Sequence, residues 1–297
     1  MWVWDFEIDS FKWQLDHFDM NDNSVVSQSD KAQLFKSLHE RPGCFVIPNP
    51  WDAGTAKILA AMGFEALATT SAGLAFSLAK SDSSGSVTLQ EVLDNAKEII
   101  AATHLPVSAD LESGYSVSAE GIAKTIALAA EAGLVAGSIE DATGIANAPI
   151  YELAEATERI RVAVEAARKL SFPFLITGRA ENFLYGRTDL KDTIKRLQHF
   201  QEAGADVLFA PGLRHKQDIE SVLKEIDRPL NVIMGLAGTD LTVDDLFAMG
   251  VKRISLGSSL SRAAFRAFIS AAKEIKTKGT FQFANSAIPY KDLNGMF

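Results

Sequence analysis

The sequence predicts one (β/α)₈ barrel, and three observations predict it. Apolar runs of strand length alternate about eight times with stretches whose apolar residues fall at i, i+3, i+4 and i+7. A glycine recurs where helix gives way to strand, in AAMGFEALATT, AEAGLVAGSIE, QEAGADVLFAPG and FAMGVKRISLG. Gly63, Gly133, Gly204 and Gly250 are thus placed to take the left-handed conformation that stops a helix. No Pro/Gly/Ser linker divides the repeat, and 297 residues at 47% hydrophobic content can bury one large core. A doubly wound open sheet is the competing architecture.

The elements follow in order. The first thirty or so residues carry Trp2, Trp4, Phe6, Phe11, Trp13 and Phe18 interleaved with acids, then a polar stretch, NDNSVVSQSD. They read as an appendage that packs on a neighbour. Ser29 resembles an N-cap for a helix to about Glu40, which Arg41-Pro42-Gly43 ends. Residues 1–43 therefore read as appendage and helix, and 44–297 as the catalytic barrel. Its strands are expected at CFVIPN, EALATT, PVSAD, VAGSIE, PFLITGRA, DVLFAPG, LNVIMG and KRISLG, with helices such as LQEVLDNAKEIIAATH and AEGIAKTIALAAEAG between them. The last helical stretch, AAFRAFISAAKEIKTKG, is amphipathic.

Composition narrows the function. A net charge of −9, from 29 basic and 38 acidic residues, argues against nucleic acid or an anionic membrane as partner. The single cysteine, Cys44, excludes an internal disulfide framework and suits a reducing compartment. No apolar run reaches membrane-spanning length, and the acidic N-terminus has neither a signal h-region nor transit-peptide character. The expected location is the cytoplasm.

Three segments place charge just beyond predicted strands: PVSADLES (Asp110, Glu112), AGSIEDAT (Glu140, Asp141) and LITGRAEN (Arg179, Glu181). Active sites of barrels lie at the carboxyl ends of the strands. There, Asn49, Trp51 and Asp52 after strand one and Thr69–Gly73 after strand two would share a cavity with these groups. Four carboxylates on one rim repel one another unless a cation is present. Mg²⁺, a hard ion that keeps much of its water, fits such an oxygen set. Solvated loop acids are the bland alternative. The five histidines form no metal pattern, and Cys44 reads as a small hydrophobe. The serines around Gly85 lack the lysine of a P-loop. LGSSLSR after strand eight lies where barrels often bind phosphate, although capping serines explain it as well.

The ordered motifs PNPWDAGTAKILAAMGFEALATTSAG, PVSADLESGYS, GSIEDA, ITGRAEN and QEAGADVLFAPG, from about Pro48 onward, resemble the isocitrate lyase / phosphoenolpyruvate mutase superfamily. The resemblance implies a Mg²⁺-dependent barrel, with Mn²⁺ as a substitute ion, that cleaves or forms C–C or P–C bonds beside the carboxylate of a 2-oxo or 2-hydroxy acid. It implies a homodimer or homotetramer whose last helix is exchanged between subunits. By the same resemblance, Asp110 is the principal metal carboxylate, Glu112 stands where a second Asp is usual, and Glu140 is the third metal-shell acid. Arg179 grips the substrate carboxylate, together with Thr70, Ser71 and Ala72; Trp51, from its own place after strand one, is expected either to line the cavity and touch substrate or to serve as core. Asp82, in SLAKSDSSGSVT, corresponds to the aspartate of a gating loop; Asp82, Glu112 and Arg179 are the expected catalytic groups.

Two departures from the family's pattern shape the expected reaction: its ligands at strands six and seven are replaced by Ala210-Pro211-Gly212 and Met234-Gly235, and the loop after strand four differs. The lyases carry a Cys-containing loop after the fourth strand, where this chain has ATGIANAP. The mutase branch uses Asn or Thr there, for which Thr143 or Asn147 could stand in. The expected chemistry is therefore decarboxylation of an oxaloacetate-like acid or phosphonopyruvate-type cleavage. A (methyl)isocitrate lyase with a relocated acid, a non-catalytic binding barrel and a phosphate-binding synthase are the alternatives.

Overall fold

The structure is a computed structural model that describes residues 26–83 and 85–297; most of the aromatic appendage lies outside the described residues. Eight parallel strands run β1 Phe45–Ile47, β2 Leu67–Ala68, β3 Val107–Asp110, β4 Ala136–Glu140, β5 Leu175–Arg179, β6 Val207–Phe209, β7 Leu230–Ile233 and β8 Arg253–Ser255. They pair in the order β1-β8-β7-β6-β5-β4-β3-β2. The seam between β1 and β2 is bridged by the Ala68 N–H, which donates to the Pro48 carbonyl at 3.1 Å. Asn49 reinforces it from above: its Nδ2 donates to Thr69 O (2.9 Å), and its Oδ1 accepts from the amides of Leu256 (2.9 Å) and Gly257 (2.8 Å). This is the (β/α)₈ barrel expected from the sequence, with strands of only two to five residues.

Side-chain parity sets what faces inward. In β5, Ile176 joins the core beneath the helices, whereas Thr177 meets the interior Arg253 at 3.1 Å. Between Thr177 and Arg179, Gly178 leaves room for Phe200 of the helix Leu190–Glu202; a Cβ on Gly178 would lie 2.9 Å from the Phe200 Cβ. The four join glycines have φ of 83°, 100°, 100° and 96°, the left-handed stop that their spacing announced.

The first described helix, Gln28–Glu40, is capped by Ser27, whose hydroxyl accepts from Asp30 N, rather than by Ser29. Ser29 falls inside the first turn. Ala32, Phe35 and Leu38 of this helix pack on Phe45, Ala66, Val135 and Leu175 at the amino ends of the strands. The helix thus plugs the floor of the barrel. His39 continues the plug, edge-on to Phe35 and Phe45 at 4.8 and 5.0 Å. Cys44 lies at this same end and is half-buried rather than fully enclosed. No described helix is long and apolar enough to cross a membrane.

Because Phe35 is fully buried, Phe35→Ala should cost about 3–5 kcal/mol in urea-unfolding experiments. A loss under 1 kcal/mol would show that the plug is not part of the cooperative fold.

Candidate active site

Strand register brings the predicted groups together. Glu140 and Arg179 are direct partners across β4 and β5, and Asp110 is level with Ser138 across β3 and β4. Arg179 is the hub. Its Nε donates to Glu181 Oε1 at 2.5 Å, and its Nη1 lies 3.2 Å from Glu140 Oε2 and 3.4 Å from Asp110 Oδ1. The guanidinium also stands over the Phe209 ring, 5.3 Å from its centroid. Asp110 is held further by Ser71 Oγ (3.0 Å) and Ser138 Oγ (3.4 Å), which donate to its carboxylate.

Glu112 reaches the rim from a backbone with φ of 44°, and Tyr115 follows at 52°. Non-glycine residues held there carry strain of roughly 1–3 kcal/mol each. Asp82, from the loop after the helix Ser71–Ser77, comes over the same rim. A chamber of about 220 Å³ is lined by Ser71, Asp82, Glu112, Glu140, Arg179 and Glu181, with Leu184 and Tyr185 at one side. A second chamber of about 190 Å³ runs down the barrel axis beneath it; Thr70, Ser71, Ala72, Asp110 and Arg179 line its upper part.

Asp141 does not join the rim. It follows Glu140 directly, so alternation turns it to the other face. It is fully buried there, accepts from Glu181 N (2.7 Å) and pairs with Arg196 at 3.0 Å. Its task is to hold the Glu181 segment and the helix behind it. Asp52 is likewise an N-cap, in a box with Thr55. Trp51 lines neither chamber; its backbone carbonyl accepts from Asn95 Nδ2 at 2.9 Å. After β4, the hydroxyl of Thr143 is spent on the Ala148 carbonyl at 2.6 Å, and Asn147 lines neither chamber. Only Ala142 and Gly144 of that loop face the acids.

The rim is electrostatically overloaded. Burial, then the charge of Asp110, pushes the Glu112 carboxyl up to about 7. Burial also raises Asp82, with Asp110 adding to it. Glu140 and Glu181 are raised by burial despite the pull of Arg179. Burial draws Arg179 down, but Glu140, Glu181 and Asp110 outweigh it and keep the guanidinium charged. Among the described residues, no three acidic, histidine or cysteine side chains converge closely enough to encage an ion alone. An all-oxygen set in the rim chamber, where Arg179 faces Asp82, Glu112, Glu140 and Glu181, still fits Mg²⁺ held by one or two carboxylates and its own waters.

A model of the phosphoenolpyruvate phosphomutase family matches residues 35–276. The chain belongs to that family, within the isocitrate lyase / phosphoenolpyruvate mutase superfamily. It is an enzyme of that type, and members of the superfamily generally use a divalent metal, typically Mg²⁺. A Burkholderia cenocepacia structure described provisionally as a lyase/mutase is 53% identical, with a TM-score of 0.88, over 90% of this chain and 95% of that one. A 2-methylisocitrate lyase of Halalkalibacterium halodurans is 28% identical over 86% of this chain and 85% of its own. An oxaloacetate decarboxylase of Pseudomonas fluorescens is 26% identical over 84% and 86%.

Family resemblance directs attention to the top of the barrel, and some lining residues escape it. Tyr185, Ser138, Asn231 and Arg253 line the two chambers. Inward parity along β4, β7 and β8 is the sequence signal that could have found the last three; Tyr185, on a loop, leaves no such periodic trace.

The raised acids bind protons more tightly folded than unfolded. The stability they contribute is complete below their unfolded values near 4 and is lost as pH rises through the folded ones, about 7 for Glu112. Metal-free protein should therefore melt at progressively lower temperature between pH 5 and pH 8. A melting temperature that climbs across this window would contradict the charge imbalance.

Proposed function

We propose that this chain is a Mg²⁺-dependent enzyme that cleaves a bond beside the carboxylate of a small 2-oxo acid, by decarboxylation of an oxaloacetate-like substrate. The observation that carries the proposal is the pairing of an acid-rich rim with a β4 loop that offers it only Ala142 and Gly144. Cleavage of isocitrate-type substrates needs an acid to protonate the departing carbanion. Loss of CO₂ needs none at the cleavage step. The similarity to an oxaloacetate decarboxylase supports this direction.

Asp110 would hold Mg²⁺ directly, with Glu112 and Glu140 acting through its waters; when bound, the ion supplies Lewis-acid stabilisation of negative charge on the substrate oxygens. The chain's own groups do the rest. Ser71 and Ala72 open the helix Ser71–Ser77, where the first amides have no intrahelical acceptor; these amides suit the substrate carboxylate. Arg179 spends Nε and Nη1 on acids, and its Nη2 makes no hydrogen bond to the described residues, so a charged donor is left for the same carboxylate. Asp82 closes the rim over both chambers. As the bond to the leaving carboxyl breaks, its electron pair moves toward the 2-oxo oxygen, and the ordered donors stabilise that charge without reorganising. The match to the phosphomutase family favours P–C cleavage of a phosphonopyruvate-type acid as the second reading.

The assembly we propose is a homodimer or homotetramer, and the location the cytoplasm. On the helix Ser259–Lys278 only Ser261 is buried, while Phe265, Phe268, Ile269 and Ile275 are exposed. A groove of about 600 Å³ lies between this helix and Phe76. A second copy would cover this surface, as closed symmetric pairing favours.

Mg²⁺-dependent CO₂ release from oxaloacetate, assayed beside phosphonopyruvate, isocitrate and 2-methylisocitrate, tests the reaction. Oxaloacetate should be the good substrate and the two isocitrates poor ones, by ~10²–10⁴-fold, because the β4 loop offers no proton donor. Asp110→Ala should abolish turnover in a folded protein, and Arg179→Lys should lose about 10²-fold or more, since an ammonium lacks the planar fork. Cys44→Ser should be silent. Robust 2-methylisocitrate cleavage, or its loss in Cys44→Ser, would restore the lyase. Light scattering should give a dimer or tetramer; a stable monomer at micromolar concentration would rule out the assembly.

A further inference from the structure

The axial chamber ends on a charge that the reaction above does not use. Arg253, at the start of β8, lines the chamber and is only 5% exposed. All its partners are neutral. Its Nε donates to Asn231 Oδ1 at 2.9 Å, its Nη2 to Thr177 Oγ1 at 3.1 Å, and its Nη1 faces His39 Nε2 at 3.4 Å. The histidine cannot compete for charge: burial, then Arg253 itself, holds its pKa down near 3. Its Nδ1 lies 2.8 Å from the Phe35 carbonyl, which places the ring hydrogen there and leaves the Nε2 lone pair toward Arg253.

A guanidinium has five N–H donors, so each terminal nitrogen keeps one N–H with no acceptor among the described residues. Asn231 Nδ2 donates to Ser255 Oγ at 2.9 Å, which frees the Ser255 hydroxyl hydrogen for the chamber that Ser255 also lines. The floor is therefore rich in donors and carries a positive charge that, among the described residues, has no ion-pair partner. Burial alone pulls the Arg253 pKa down to about 9, so the group is still a cation at neutral pH. A buried charge without a counter-ion carries a large desolvation cost, which an anion bound against it would offset.

We propose that the axial chamber is a binding site for a small monoanion, a halide or a carboxylate group, seated on Arg253 and Ser255 beneath the acid rim. Its occupant is either a free ion or a carboxylate of the substrate itself. The site uses residues to which the decarboxylase reading gives no role, so it stands or falls separately from that reading.

The test is thermal melting of the full-length protein against chloride and formate at constant ionic strength, balanced with a bulky organosulfonate. A saturable rise of roughly 2–4 °C is expected, absent in Arg253→Met and weakened about tenfold in affinity in Ser255→Ala, a variant that keeps the arginine network. If the substrate's carboxylate uses the site, formate raises KM competitively; if a free ion uses it, KM is indifferent to formate, and both results support the site. No saturable anion effect in the parent would overturn the proposal, and so would an undiminished effect in Arg253→Met. Should Arg253→Met fail to fold, unchanged anion affinity in Ser255→Ala overturns it.

Discussion

A single guanidinium is asked to balance too many carboxylates, and much of the molecule is arranged around that deficit. Arg179 contacts Asp110, Glu140 and Glu181 at once, while Asp82 and Glu112 share the chambers it faces. In bulk water such a cluster would cost little. Inside a partly buried rim, each added acid raises the proton affinity of the others, as Glu112 and Asp82 show. The cluster carries more negative charge than Arg179 offsets, which sets it apart from solvated loop ends and suits it to a cation.

The barrel supplies the rigidity the cluster needs. Parallel register sets Glu140 beside Arg179. From behind the sheet, the buried Asp141–Arg196 pair fixes the chain at Glu181 through the Glu181 amide. Asn49 ties the tops of β1, β2 and β8. Removing a partner from a buried pair leaves a bare charge, so Asp141 matters to the site without facing it. The same parity rule that aims Glu140 inward therefore gives its neighbour a supporting task.

Much of this was legible in the sequence because strand ends announce themselves. Asp110, Glu140, Arg179 and Glu181 each follow an apolar run, and the join glycines mark where helices stop. Asp82 was legible only through family resemblance, since a loop leaves no periodic trace. Asp141 was misplaced because adjacency in sequence was taken for adjacency in space, although strands of period two separate neighbours. Arg253 was passed over for a different reason: Lys252-Arg253 at a strand start looks like a solvated turn, although inward parity along β8 points the arginine to the barrel axis. The Ser27 cap was missed because NDNSVVSQSD offers several equivalent capping residues.

The overloaded rim is expected to take up a divalent cation. Electron paramagnetic resonance of Mn²⁺ titrated into the protein tests it directly, because bound and free Mn²⁺ have distinct spectra. One Mn²⁺ site per chain is expected, displaced by Mg²⁺ and with a spectrum altered by oxalate. Mn²⁺ that stays free in the presence of excess protein at millimolar concentration would contradict it.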